Sequence, residues 1–224
     1  MRARLLSCAL LLVLAIAADA LAAEPVYYLA LGDSLAIGVQ PAQDGSLVPT
    51  NQGYVDDLYA FYRPRNPGLQ VAKLGCSGET TSSMITGVGS PCVYASGSQL
   101  SAAAAFLQTH RVALITLDIG ADNLLHCVNL SAPVDPACVS AESTTAASDL
   151  ATILGTLHAY APGVVIVGMN YYDPFLAAWI FGPNGPAFAA ASLLASTAFN
   201  NALATIYQLL NVRMADVASA YRSS

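Results

Sequence analysis

Three short stretches of this chain hold groups that together could carry out acyl transfer. The first is Gly32-Asp33-Ser34-Leu35. It follows an apolar run, residues 26–31, which stops at Gly32 and reads as a buried strand. The glycine permits a tight turn out of that strand. Ser34 then stands at the strand's carboxyl end. There its hydroxyl can serve as a nucleophile and its backbone N–H can stabilise an oxyanion. The second stretch is Gly75-Cys76-Ser77-Gly78-Glu79-Thr80. Its glycines let the backbone approach a ligand closely and point N–H groups at it. The third is Ile119-Gly120-Ala121-Asp122-Asn123, where an asparagine amide can donate to developing negative charge. Each also has a plain structural reading: a serine N-cap, a turn pinned by a disulfide and a helix cap.

The elements that must hold these groups alternate along the chain. Strands are expected at 26–31, 69–74, 112–119, 164–169 and 212–215. Helices are expected at 54–63, 99–110, 140–160 and 186–210, the third stopped by Pro162-Gly163. Such alternation predicts an α/β fold with a parallel sheet covered on both faces. In such sheets ligands collect at the carboxyl ends of the strands, and the three stretches follow the first, second and third strands. After the fourth strand, residues 170–181 carry Tyr171, Tyr172, Phe175, Trp179 and Phe181, which could line an apolar acyl site.

Residues 1–23 read as a secretory signal peptide. Arg2 and Arg4 precede an apolar run, and Ala20-Leu21-Ala22 fits the small-x-small rule for cleavage. The expected mature domain is 24–224. The run is short for a membrane span, so no stable membrane insertion is expected once it is removed. The formal charge is −6 at pH 7, and losing Arg2, Arg4 and Asp19 makes it one unit more negative. An acidic surface argues against nucleic acid as a partner. Cys8 leaves with the leader, and Cys76, Cys92, Cys127 and Cys138 remain. An even count in an exported chain suggests two disulfides. Three connectivities are open, of which Cys76–Cys92 with Cys127–Cys138 is the most economical. No Cys-x-x-Cys occurs and the spacings do not suit zinc, so no metal and no cofactor are expected. Asn129-Leu130-Ser131 is a glycosylation sequon.

Taken in order, the three stretches resemble the SGNH, or GDSL, hydrolase family, and in particular an exported, disulfide-containing bacterial branch. Supporting stretches are Cys76-Ser77-Gly78-Glu79-Thr80-Thr81, Gly168-Met169-Asn170-Tyr171-Tyr172-Asp173-Pro174-Phe175 and Met214-Ala215-Asp216-Val217. The resemblance runs from about Val26 to about Tyr221. It implies a three-layer, flavodoxin-like fold with a five-stranded parallel sheet. It also implies hydrolysis of carboxylic esters, of small molecules, lipids or glycans, through an acyl-serine. Ser34 matches the family's nucleophile and Gly78 its oxyanion-hole glycine.

Two departures bear on activity. The family's G-x-N-D block places asparagine before aspartate, whereas here Asp122 precedes Asn123. An ionised carboxylate at the donor position donates nothing. A small backbone shift would be needed for Asn123 to serve instead. The family's base is the histidine of a D-x-x-H block, after the fifth strand and ahead of a final helix. Asp216-Val217-Ala218-Ser219 has the aspartate but no histidine, so that block and the final helix are expected to be missing here. His110 and His158 belong at the opposite edge of the sheet. His126 follows the third strand and is the one candidate stand-in base. A serine without a base is a poor nucleophile at neutral pH. Three readings stay open: a secreted esterase or lipase-like hydrolase, a non-catalytic acyl- or glycan-binding relative, and a truncated gene product.

Overall fold

The computed structural model describes residues 24–128 and 132–223. The expected leader and the sequon lie outside the described residues. The main sheet contains β1 (Val26–Gly32), β4 (Leu69–Lys73), β5 (Arg111–Asp118), β6 (Val165–Met169) and β7 (Arg213–Ala215). Its order is β4-β1-β5-β6-β7, and every neighbouring pair is parallel. This is a doubly wound sheet, in which the chain leaves β1 toward one edge and later returns past it toward the other. The connections on either side of β1 therefore diverge, which opens a crevice at the carboxyl ends of β1 and β5.

β1 shows how one strand serves both faces. Leu29 and Leu31 enter the larger core, while Tyr28 and Ala30 enter a smaller one with Val55 and Leu69. Successive side chains of a strand point to opposite faces, so a strand covered on both sides reads as continuously apolar. The smaller core lies under α1 (Tyr54–Tyr62). The larger core is closed by α3 (Gln99–Thr109), α5 (Pro136–Tyr160) and α6 (Gly185–Leu209). Short helices α2 (Thr81–Thr86) and α4 (Ala121–Leu125) follow β4 and β5.

The two long helices bury stripes at helical spacing: Leu150, Ile153, Leu154 and Leu157 on α5, and Phe199, Leu203 and Tyr207 on α6. Burying each such side chain contributes about 1.5–3 kcal/mol. By length and composition α6 could cross a membrane, yet these three of its residues face the core.

The sequence reading places the strands and long helices close to where they lie, with differences at their ends. α5 starts four residues before the expected Ser140. Pro136 tolerates the first turn, where a backbone N–H has no helical acceptor, and the Asp135 carboxylate accepts from the Ala137 N–H at 2.9 Å. A small antiparallel hairpin, β2 (Val39–Pro41) with β3 (Leu47–Pro49), lies apart from the main sheet and turns at Gly45. Three-residue strands are too short to show a pattern in the sequence. A one-turn helix α7 (Val217–Ala220) follows β7.

Both disulfides join near neighbours, Cys76 to Cys92 and Cys127 to Cys138. Each closes a loop at the carboxyl edge of the sheet.

Candidate active site

Ser34 sits where β1 ends, in a turn that leads into β2. Gly32 makes the exit possible. Its φ is +133°, and a Cβ there would lie 1.9 Å from the Asp118 carbonyl oxygen. No other residue fits this junction of β1 with β5.

The turn is held from several elements at once. The Asp33 N–H donates to the Asp118 carbonyl at 2.9 Å. The Ala36 N–H donates to Asp118 Oδ2 at 3.1 Å, and the Leu35 N–H to Asp33 Oδ1 at 3.0 Å. From α1, the Tyr54 hydroxyl donates to Asp118 Oδ1 at 2.6 Å. From beyond β6, the Tyr171 hydroxyl donates to Asp33 Oδ2 at 2.8 Å. Gln99, the first residue of α3, accepts from the Gly32 N–H and donates to the Gly32 carbonyl at 2.7 and 2.9 Å. It also donates to Glu79 Oε2 at 3.2 Å.

Asp33, Glu79 and Asp118 are all buried beneath the serine. Burial disfavours their charged forms. It raises both Asp33 and Asp118 above the ordinary carboxylate range, Asp118 well above it, where the adjacent Asp33 adds to the effect. The two carboxyls are neighbours, and their mutual repulsion when both are charged favours keeping a proton on one of them.

Above this floor lies a cavity of about 190 Å³. Ser34, Asp33 and Asp122 line it together with apolar residues such as Leu35, Leu124 and Phe199. Of the aromatics expected at an acyl site, Tyr171, Tyr172 and Phe175 line the cavity. Trp179 and Phe181 do not. Trp179 lies near the end of the 3-10 segment Pro174–Ile180 and Phe181 follows it, and they are 61% and 70% exposed.

The sequence-predicted residues separate clearly. Ser34 and Asp122 share the cavity. Gly78 is not among the residues lining the cavity; it has φ +83° and lies in the loop closed by Cys76–Cys92. The N–H groups of Ser34 and Gly78 have no acceptor among the described residues. Asn123 is buried and turned away. Its Oδ1 accepts from the Thr81 N–H at 3.0 Å and its Nδ2 donates to Glu142 at 3.3 Å. His126 caps the end of α4 with an exposed ring and makes no hydrogen bond to Ser34 among the described residues.

His110 stacks on Phe106 and meets the edge of Tyr27 at the other end of the sheet, and His158 lies in the last turn of α5. Asp216 is an N-cap. It accepts from the Ser219 N–H and from Asn170 Nδ2.

The sequence reading missed Tyr54, Gln99 and Asp118, the residues that tether the turn. Asp118 left one signal, a carboxylate closing an otherwise apolar strand. Gln99 and Tyr54 left none, because each acts across more than sixty residues of chain.

Comparison with solved structures gives the same architecture at low identity. The lipase Lip_vut3 from a goat rumen metagenome superposes with a TM-score of 0.63 at 16% identity, over 88% of this chain and 83% of that one. An extracellular lipase of Streptomyces rimosus gives 0.59 at 19% identity, over 88% and 82%. Phospholipase A1 of Streptomyces albidoflavus NA297 gives 0.57 at 20% identity, over 88% and 81%. No curated protein matches the chain. The model of the GDSL-like lipase/acylhydrolase family matches residues 30–224. Beginning inside β1 and running through the serine turn, the cavity and β7, that match shows that the chain belongs to the GDSL-like lipase/acylhydrolase family.

Proposed function

We propose that this chain is an exported carboxylic-ester hydrolase scaffold in which Ser34 accepts the acyl group. The observation that carries the reading is the position of Ser34. It stands at the carboxyl end of β1 with an unpartnered N–H, beside a cavity whose lining is largely apolar. An ester's acyl part suits such a cavity, and its carbonyl would then meet the serine. The Gly78 N–H supplies a second donor for the tetrahedral oxygen. Export follows from the leader-like segment at 1–23 and is supported by the two disulfides. The extracellular lipase and the phospholipase among the structural neighbours support lipid or other small ester substrates.

Turnover by these residues is expected to be slow. None of the three histidines hydrogen-bonds to Ser34 among the described residues, so its hydroxyl has no base to take the proton. Removing the histidine of a comparable unit lowers kcat by about 10⁶. The same cavity favours a second reading, an acyl-binding relative that does no chemistry.

One experiment separates the two. The purified chain and its Ser34→Ala variant are incubated with a fluorophosphonate probe and a nitrophenyl butyrate ester. Ser34 is expected to be labelled, with ester turnover far below that of an enzyme holding a complete triad, and the variant to lose both signals. Labelling of the variant at the same rate would overturn the nucleophile. Saturable binding of a fatty acid without labelling would favour the acyl-binding reading.

A further inference from the structure

Asp122 is the one ionisable group of α4 that faces the cavity with Ser34. Its carboxyl is half-buried and makes no hydrogen bond among the described residues. No lysine or arginine lines the cavity. The acids that face it come from other elements: Asp33 from the end of β1 and Glu79 from the loop after β4. Tyr171 and Asp173, both after β6, also line the cavity, and the Tyr171 hydroxyl is already given to Asp33. His126, on the same short helix, is exposed at its end.

Burial, then the nearby Asp33 and then Glu79, push the Asp122 carboxyl up to about 7. Near neutrality it therefore exists in both forms, and the two forms would do opposite things. The ionised form repels an oxyanion and donates nothing. The neutral acid carries an O–H, a good donor to a nearby oxygen.

We propose that Asp122 acts as a carboxylic acid, donating a hydrogen bond to the carbonyl oxygen of the ester that Ser34 attacks. The inference rests on Ser34 being the nucleophile. In the step, Ser34 Oγ bonds to the carbonyl carbon and loses its proton to water. The carbonyl π pair moves onto oxygen, which is met by the Ser34 and Gly78 N–H groups and the Asp122 O–H. Asp122 keeps its proton throughout. Collapse re-forms the carbonyl and breaks the bond to the alcohol, which takes a proton from water. The sign of the pH effect follows. Donor capacity is full below the Asp122 value of about 7 and is lost above it, about tenfold per pH unit.

The test is the rate of Ser34 phosphonylation by a fluorophosphonate across pH, for the wild type and Asp122→Asn. Taking the ratio of variant to wild type cancels any general rise in serine reactivity with pH. The amide donates at every pH. The ratio is expected near one at about pH 5.5 and to climb to on the order of a hundred by about pH 9, within the range for loss of one oxyanion donor. A ratio independent of pH would overturn the proposal. So would a variant slower than wild type at alkaline pH, which would make Asp122 a base.

A second measurement needs no reaction with the probe. Binding of an alkylboronate, in which Ser34 gives up its proton to buffer as the tetrahedral adduct forms, is followed by calorimetry at about pH 8 in buffers of different ionisation enthalpy and is expected to release about one proton fewer in the wild type than in Asp122→Asn. Equal proton release in both would also overturn it. Failure of the nucleophile reading shows separately, as labelling or boronate binding that survives Ser34→Ala.

Discussion

The floor beneath Ser34 and the outer end of the wall beside it are built in opposite ways. In the floor, Asp33, Glu79 and Asp118 are buried and each carboxylate has a partner drawn from another element. In the outer wall, Trp179, Ile180 and Phe181 are consecutive and mostly exposed. The floor is specified by directed bonds, so it tolerates little change. The outer wall is specified by composition alone, so it is free to vary. A family that keeps one chemistry while changing its substrates would divide its residues in this way.

The largest expected effect lies in the floor. Asp118→Ala leaves the Tyr54 hydroxyl, the Ala36 N–H and the Asp33 carboxyl without their partner. It should cost about 3–5 kcal/mol in denaturant unfolding. A cost under about 1 kcal/mol would show that the floor is no better specified than the wall. The same residue predicts a pH effect. Its carboxyl is raised in the folded protein, mainly by burial and then by Asp33. A raised acid contributes stability that is complete at low pH and is lost as pH rises toward the folded value. Wild-type stability should therefore decline from mildly acidic to alkaline pH. Asp118→Asn, which needs no added proton, should flatten that decline.

Next comes the loop that carries Gly78. Replacing Cys76 and Cys92 with alanine should cost about 3 kcal/mol by releasing a loop of this size in the unfolded chain. A much smaller loss would assign the loop's order to the Glu79 bonds with Ser83, Ser90 and Gln99 instead. The smallest effect is expected at the outer wall. Ile180 is 79% exposed, and Ile180→Ser should change stability by no more than about 0.5 kcal/mol. A loss comparable to that of Asp118→Ala would erase the contrast.

The strands were legible because β-branched and aliphatic runs end at turn residues, and Ser34 was legible because it follows such a run. The pair Asp122 and Asn123 was not. Neighbours on a helix point about 100° apart, so only one of them can face the cavity, and the sequence does not say which. The packing of α4 decides it. Asn123 goes inward to Thr81 and Glu142, and Asp122 goes to the cavity. The tethers Gln99 and Tyr54 were hidden for a related reason, since nothing local marks a side chain that bonds to a distant turn. The early start of α5 was recorded in Asp135-Pro136, a cap and a tolerated proline.

The β2–β3 hairpin leaves the serine turn immediately, yet it lies outside the bonds that hold Asp33 and Ala36 to β5. At its tip Gly45 is exposed, and a side chain added there meets nothing within 4 Å. For anyone who wishes to handle this protein, that tip is a natural point of attachment. A tag, a dye or a surface linker placed there pulls on a pair of three-residue strands, while Asp33 and Ala36, on either side of Ser34, stay bonded to Asp118 of the sheet.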